Sequence, residues 1–102
     1  MPHKVRLNDE EMKAIITTAK EVFGESVRVW LFGSRTDLNQ KGGDIDLYIE
    51  TEEKEDLLRK KLKFLVSFEE KVGEQKVDVI IKPINSQDKI SLMAKKRGVR
   101  LI

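Results

Sequence analysis

An α/β (α+β) fold, a small sheet of three to four strands covered by helices, is what this sequence predicts, and three observations carry the prediction. Three short runs rich in β-branched and aromatic residues, Ser26–Phe32, Asp44–Glu50 and Lys76–Lys82, read as strands. Apolar residues recur at helical spacing before, between and after those runs, through a strongly charged background. Each helical stretch is bounded by a capping residue at one end and a glycine at the other. A chain of 102 residues is long enough for one core and short for two, so a single domain over residues 1–102 is expected.

Taken in order, Asn8 is the expected N-cap of a first helix, with Asp9, Glu10 and Glu11 in the turn where carboxylates favour the helix dipole. Met12, Ile15, Ile16, Ala19, Val22 and Phe23 form its apolar face, and Gly24 ends it. Lys13, Lys20 and Glu21 read as a solvated face of a helix that simply covers a sheet. In the first strand, Trp30 is read as core packing in preference to a stacking platform for a nucleobase. After the second strand, Thr51-Glu52-Glu53 offers a cap to a long amphipathic helix carrying Leu57, Leu58, Leu62, Phe64, Leu65, Phe68 and Val72 and stopping near Gly73. Phe64 and Phe68, one turn apart, are candidates for meeting a partner chain instead of the core. The third strand ends at Pro83, which cannot donate to a ladder. Ser86 is the expected cap of a last helix containing Ile90, Leu92, Met93 and Ala94 and closed by Gly98. Val99-Arg100-Leu101-Ile102 is long enough for a short terminal strand, and Lys95-Lys96-Arg97 complements the helix dipole.

Composition narrows the function. Twenty basic against 18 acidic residues leave a net charge of +2, which makes no strong case for nucleic-acid binding. No apolar run approaches the roughly 20 residues needed to span a bilayer, and the N-terminus lacks an apolar signal segment, so a cytoplasmic protein is expected. The absence of cysteine removes disulfides, thiolate nucleophiles and zinc–thiolate sites together.

The chemistry is expected in the stretch from Leu31 to Glu50. Alternation along a strand projects Asp44 and Asp46 from one side and Ile45, Leu47 and Ile49 from the other. Two carboxylates that close repel each other unless a cation bridges them, and oxygen ligands suit a hard divalent ion, most simply Mg²⁺. Gly33-Ser34, at the end of the first strand, supplies a sharp turn whose amides and hydroxyl can donate to phosphate, with Arg35 and Lys41 adding positive charge. A metal site beside a phosphate cradle makes a nucleoside triphosphate the natural ligand. Asp78, central in an otherwise apolar run, is costly to bury unless paired or on a metal. A surface-facing edge position is the alternative, and a cation shared with Asp44 and Asp46 is favoured over it. Three aspartates can hold two Mg²⁺ ions for in-line displacement at phosphorus.

Gly33-Ser34, nine residues, Asp44-Ile45-Asp46-Leu47, and Asp78 within Val77-Asp78-Val79 together resemble the minimal nucleotidyltransferase (MNT) branch of the DNA polymerase β-like nucleotidyltransferase superfamily. The resemblance covers most of the chain, including the Arg97-Gly98-Val99-Arg100-Leu101 ending. It implies a mixed, palm-like sheet, metal binding by Asp44, Asp46 and Asp78, and a triphosphate contact at Gly33 and Ser34. It further implies transfer of a nucleoside monophosphate, AMP from ATP, to an acceptor with release of pyrophosphate. Short members of this branch are similar to antitoxins whose partner is an all-helical HEPN ribonuclease toxin, adenylylated on a tyrosine. Larger relatives carry a helical domain that grips base and acceptor, so here a partner protein or a second copy would complete the cleft. The rival expectations are a stoichiometric toxin-binding antitoxin without turnover, and nucleotidyl transfer to a small molecule.

Overall fold

The computed structural model describes residues 7–32 and 45–102. Within them the chain runs α1 (Asp9–Phe23), β1 (Arg28–Phe32), β2 (Ile45–Thr51), α2 (Leu57–Val72), β3 (Val77–Pro83), α3 (Lys89–Arg97) and β4 (Val99–Arg100). Helix α1 starts where the sequence predicts. The Asn8 side chain accepts from the Glu11 N–H at 2.7 Å, and the Glu11 carboxylate accepts from the Asn8 N–H at 3.1 Å. This reciprocal capping box satisfies two donors that a helix start otherwise leaves open. The helix stops at Gly24, whose φ of 95° lies in the left-handed region that favours glycine.

The other two helices begin differently from expectation. Helix α2 is preceded not by a cap at Thr51-Glu52-Glu53 but by Asp56, in the left-handed region at φ 55° and without a side-chain cap bond. Thr51 Oγ1 instead accepts from the Glu53 N–H, a local turn that takes this hydroxyl out of competition for the helix. Helix α3 is capped by Asp88, which accepts from the Ser91 N–H at 2.9 Å, and not by Ser86. Ser86 lies in the turn that closes β3, where its N–H donates to the Pro83 carbonyl.

The four strands form one mixed sheet in the order β3-β2-β1-β4. Strand β1 pairs antiparallel with β2 and with β4, and β2 pairs parallel with β3 through the α2 crossover. Because β3 is an edge strand, Pro83 can be its last residue and partner Thr51 in the register.

Helices α1 and α2 pack together on one face of the sheet. Val29, Leu31, Ile45, Leu47, Ile49 and Val79 point into that layer and meet Ile15, Ala19, Phe23, Phe64 and Phe68. Phe64 and Phe68 are therefore core, stacked with ring centroids 6.2 Å apart, and neither is available to a partner. The apolar residues that α2 exposes are Leu58, Leu62 and Val66. Glu21 is not simply solvated either: it pairs with Lys71 at 3.0 Å and ties α1 to α2.

Candidate functional site

The opposite face of the sheet is polar at one end and carries α3 at the other. Alternation along β2 sends Asp46, Tyr48 and Glu50 to this face, the reverse of Ile45, Leu47 and Ile49. Pairing between strands extends the pattern sideways. Phe32 of β1 opposes Asp46 of β2, and Asp46 opposes Asp78 of β3. Residues directly opposite in a sheet share a face, so the carboxylates of Asp46 and Asp78 rise side by side from neighbouring parallel strands. Both lie at the second position of their strands, beside the point where the 33–44 segment joins β1 to β2.

Burial differs between the two aspartates. Asp78 is exposed on the edge strand, so it carries little of the desolvation cost that its apolar neighbours suggest. Asp46 is half-buried between β1 and β3. The remaining predicted residues, Gly33, Ser34, Arg35, Lys41 and Asp44, lie outside the described residues. Among the described residues no group of three or more acidic or histidine side chains forms a metal cluster. Two register-matched carboxylates from adjacent strands, with oxygen donors only, fit a hard cation such as Mg²⁺ in ligand type.

The most deeply buried carboxylate among the described residues, Glu50, is not among the candidates that the sequence suggests. Glu50 has no exposed surface and sits under α3 at the far end of β2 from Asp46. It accepts from the Tyr48 hydroxyl at 2.7 Å and from the Asn85 N–H at 3.2 Å. Lys95 of α3 approaches it at 2.8 Å and Arg28 of β1 at 3.9 Å. Burial alone would raise its pKa, but the hydrogen bonds from Lys95, Tyr48 and Asn85 outweigh that and hold it below the usual carboxylate value. Burial, reinforced by the Glu50 charge, pushes the Tyr48 hydroxyl well up, so it stays a donor. The signal was present in the alternation: Glu50 shares parity with Asp46 at the end of a run that is otherwise buried on both sides.

Helix α3 is thereby fastened across the same sheet face as the aspartates. Lys95 also donates to the Ser86 carbonyl at 2.8 Å, and Lys82 pairs with Asp88 at 2.7 Å. Together, Lys82 and the Ser91 N–H hold the Asp88 carboxyl down at about 2. At its other end Gly98 lets α3 press onto β1, since a Cβ there would stand 2.9 Å from the Leu31 carbonyl oxygen. Trp30 is packing, as expected: it is 6 % exposed, lies 5.6 Å from the Tyr48 ring and is covered by the Arg100 guanidinium at 5.3 Å.

A four-stranded mixed sheet with α1 and α2 on one face, and α3 with the register-paired Asp46 and Asp78 on the other, makes this an α+β fold. The family model described as nucleotidyltransferase domain matches residues 12–101, and the chain belongs to that family. Nucleotidyl transfer is the chemistry of the family. No curated protein matches the chain. Among the described residues no helix is long and apolar enough to cross a membrane.

Proposed function

We propose that this domain transfers AMP from ATP, in the presence of Mg²⁺, to a tyrosine hydroxyl of a HEPN ribonuclease toxin and so acts as its antitoxin. The observation that supports the reading most is the direct pairing of Asp46 with Asp78 on the sheet face that α1 and α2 leave open. Asp44, Asp46 and Asp78 are the residues that would hold the metal, and Gly33, Ser34, Arg35 and Lys41 those that would meet the triphosphate. Bound there, Mg²⁺ supplies neutralisation of phosphate charge and a lowered pKa for the acceptor hydroxyl. The acceptor oxygen forms a bond to the α-phosphorus, the bond from that phosphorus to the bridging oxygen breaks, and pyrophosphate leaves with the electron pair. The acceptor proton passes to solvent. The protein's own contribution is positioning and charge: Asp46 and Asp78 stand on rigid neighbouring strands, and α3 is locked beside them by Glu50.

The test is incubation with ATP labelled at the α-phosphate, Mg²⁺ and the product of the neighbouring gene. Label should appear on that protein, and Asp46→Asn or Asp78→Asn should remove it. Neutralisation of the toxin with no label transferred would replace catalysis by stoichiometric binding. Label on an added aminoglycoside in place of the protein would move the acceptor to a small molecule.

A further inference from the structure

The outer face of α2 has two features that the fold itself does not use. Leu58, Leu62 and Val66, spaced by four, form one stripe and are 72 %, 54 % and 60 % exposed. The charges beside the stripe are segregated along the helix: Arg59 and Lys63 border its first half, and Glu69 and Glu70 its second. None of these four charges has an ion pair among the described residues.

That order runs against the helix dipole. Helix α1 carries Asp9, Glu10 and Glu11 in its first turn, and α3 carries Lys95, Lys96 and Arg97 in its last. Helix α2 has no acidic residue in its first turn and no side-chain cap on Asp56; Lys71 in its last turn complements the dipole but is turned toward Glu21 of α1. Cations near a helix start and anions near its end are each unfavourable, and like charges at Arg59 and Lys63 repel. An antiparallel neighbour with the same sequence offsets these terms by setting the basic half of one helix beside the acidic half of the other.

We propose that this face of α2 pairs with the same face of a second copy, the two helices running antiparallel about a two-fold axis near their midpoint. Leu62 of each copy then meets Val66 of the other, and Arg59 of each lies beside Glu70 of the other. The charge pattern is self-complementary in that orientation alone; a parallel pair would set Arg59 against Arg59. A single helix face falls short of the roughly 800 Å² per partner of a standard interface, so the dimer is expected to be weak and sensitive to salt. The stripe lies in the layer opposite the Asp46–Asp78 face, which leaves that face accessible in each copy.

Sedimentation velocity of the full chain from about 10 µM to about 1 mM, at low and high salt, reads the association. A monomer–dimer equilibrium with a dissociation constant in the tens to hundreds of micromolar is expected at low salt, roughly, weakening several-fold at high salt. Leu62→Lys should leave only monomer. Arg59→Glu and Glu70→Arg should each weaken the dimer several-fold, and the two together should restore it, which a partner other than a second copy would not produce. A monomer throughout the range, or failure of the double exchange to restore what either single one loses, overturns the proposal. Circular dichroism checks that each variant is folded, and none of these results depends on nucleotidyl transfer.

Discussion

On the helix-covered face of the sheet, Val29, Leu31, Ile45, Leu47, Ile49 and Val79 lie at 0–4 % exposure against two helices. On the other face the same strands present Asp46, Tyr48, Glu50 and Asp78. Both sets come from one alternation, so neighbours in sequence serve opposite ends: Ile45 is core and Asp46 is site. The first face is held by apolar area, which is non-directional and tolerates change in chemistry only at the expense of packing. The second is held by directional bonds around one buried carboxylate, Glu50, and its other end carries Asp46 and Asp78 in register. Stability and chemistry are thus separated by a half-turn of each strand, and neither face can slip register without exchanging places with the other.

That separation can be broken in graded steps. The largest loss of stability is expected from Phe64→Ala, which removes a fully buried ring that touches Phe23 and Phe68. Denaturant unfolding should show a loss of about 3–5 kcal/mol, close to the whole stability of a small domain. On the other face, Asp46→Asn should reduce nucleotidyl transfer by about 100- to 1,000-fold while the unfolding midpoint stays close to that of the parent. A large drop in stability for this variant would show that the two faces are not independent.

Glu50 sits between these extremes, because it is buried yet belongs to the polar face. Glu50→Gln leaves Lys95 without its charged partner and is expected to cost about 1–3 kcal/mol near neutral pH. The pH dependence has a definite sign. The folded carboxyl titrates below its ordinary value of 4.5, so its contribution is complete above that value and is lost as pH falls through the lower folded one. Unfolding followed from about pH 6 down to about pH 3 should therefore show less acid loss in the variant than in the parent. Equal acid sensitivity would mean that Glu50 is not the group responsible. The smallest effect lies at the edge of the covering layer: Asn8→Ala should cost about 1 kcal/mol by opening the capping box, whereas Asp56→Gly should be neutral or stabilising by a few tenths, since Asp56 caps nothing and holds a positive φ. Thermal unfolding distinguishes the two.

The expected ligand set stays anchored on residues of two kinds. Asp46 and Asp78 could be read as a pair only by type and setting, and their pairing side by side depends on a parallel register that α2 imposes through its crossover. Asp78 takes the surface-facing edge position that is the alternative in the sequence, since a carboxylate in an apolar run is costly only when the strand is interior, and β3 is an edge. The same argument applies to Glu50, whose parity with Asp46 marks its face, but its burial depends on α3, which the alternation does not place. Capping shows a similar limit: Ser86 and Asp88 are both competent, and the choice of Asp88 follows from Lys82 on β3, a contact distant from the helix in sequence.

The sequence by itself determined the elements, their ends at Gly24, Gly73 and Gly98, the Asn8 cap and the parity that parts Asp46 from Ile45 and Leu47, because these are set by spacing and by backbone chemistry within a few residues. Only the tertiary structure decided the strand order, the pairing of Asp46 with Asp78, the burial of Glu50 under α3 and the exposure of Leu58, Leu62 and Val66 in place of Phe64 and Phe68. Each of those depends on which surfaces meet, and contacts between residues far apart in the chain leave no periodic trace in it.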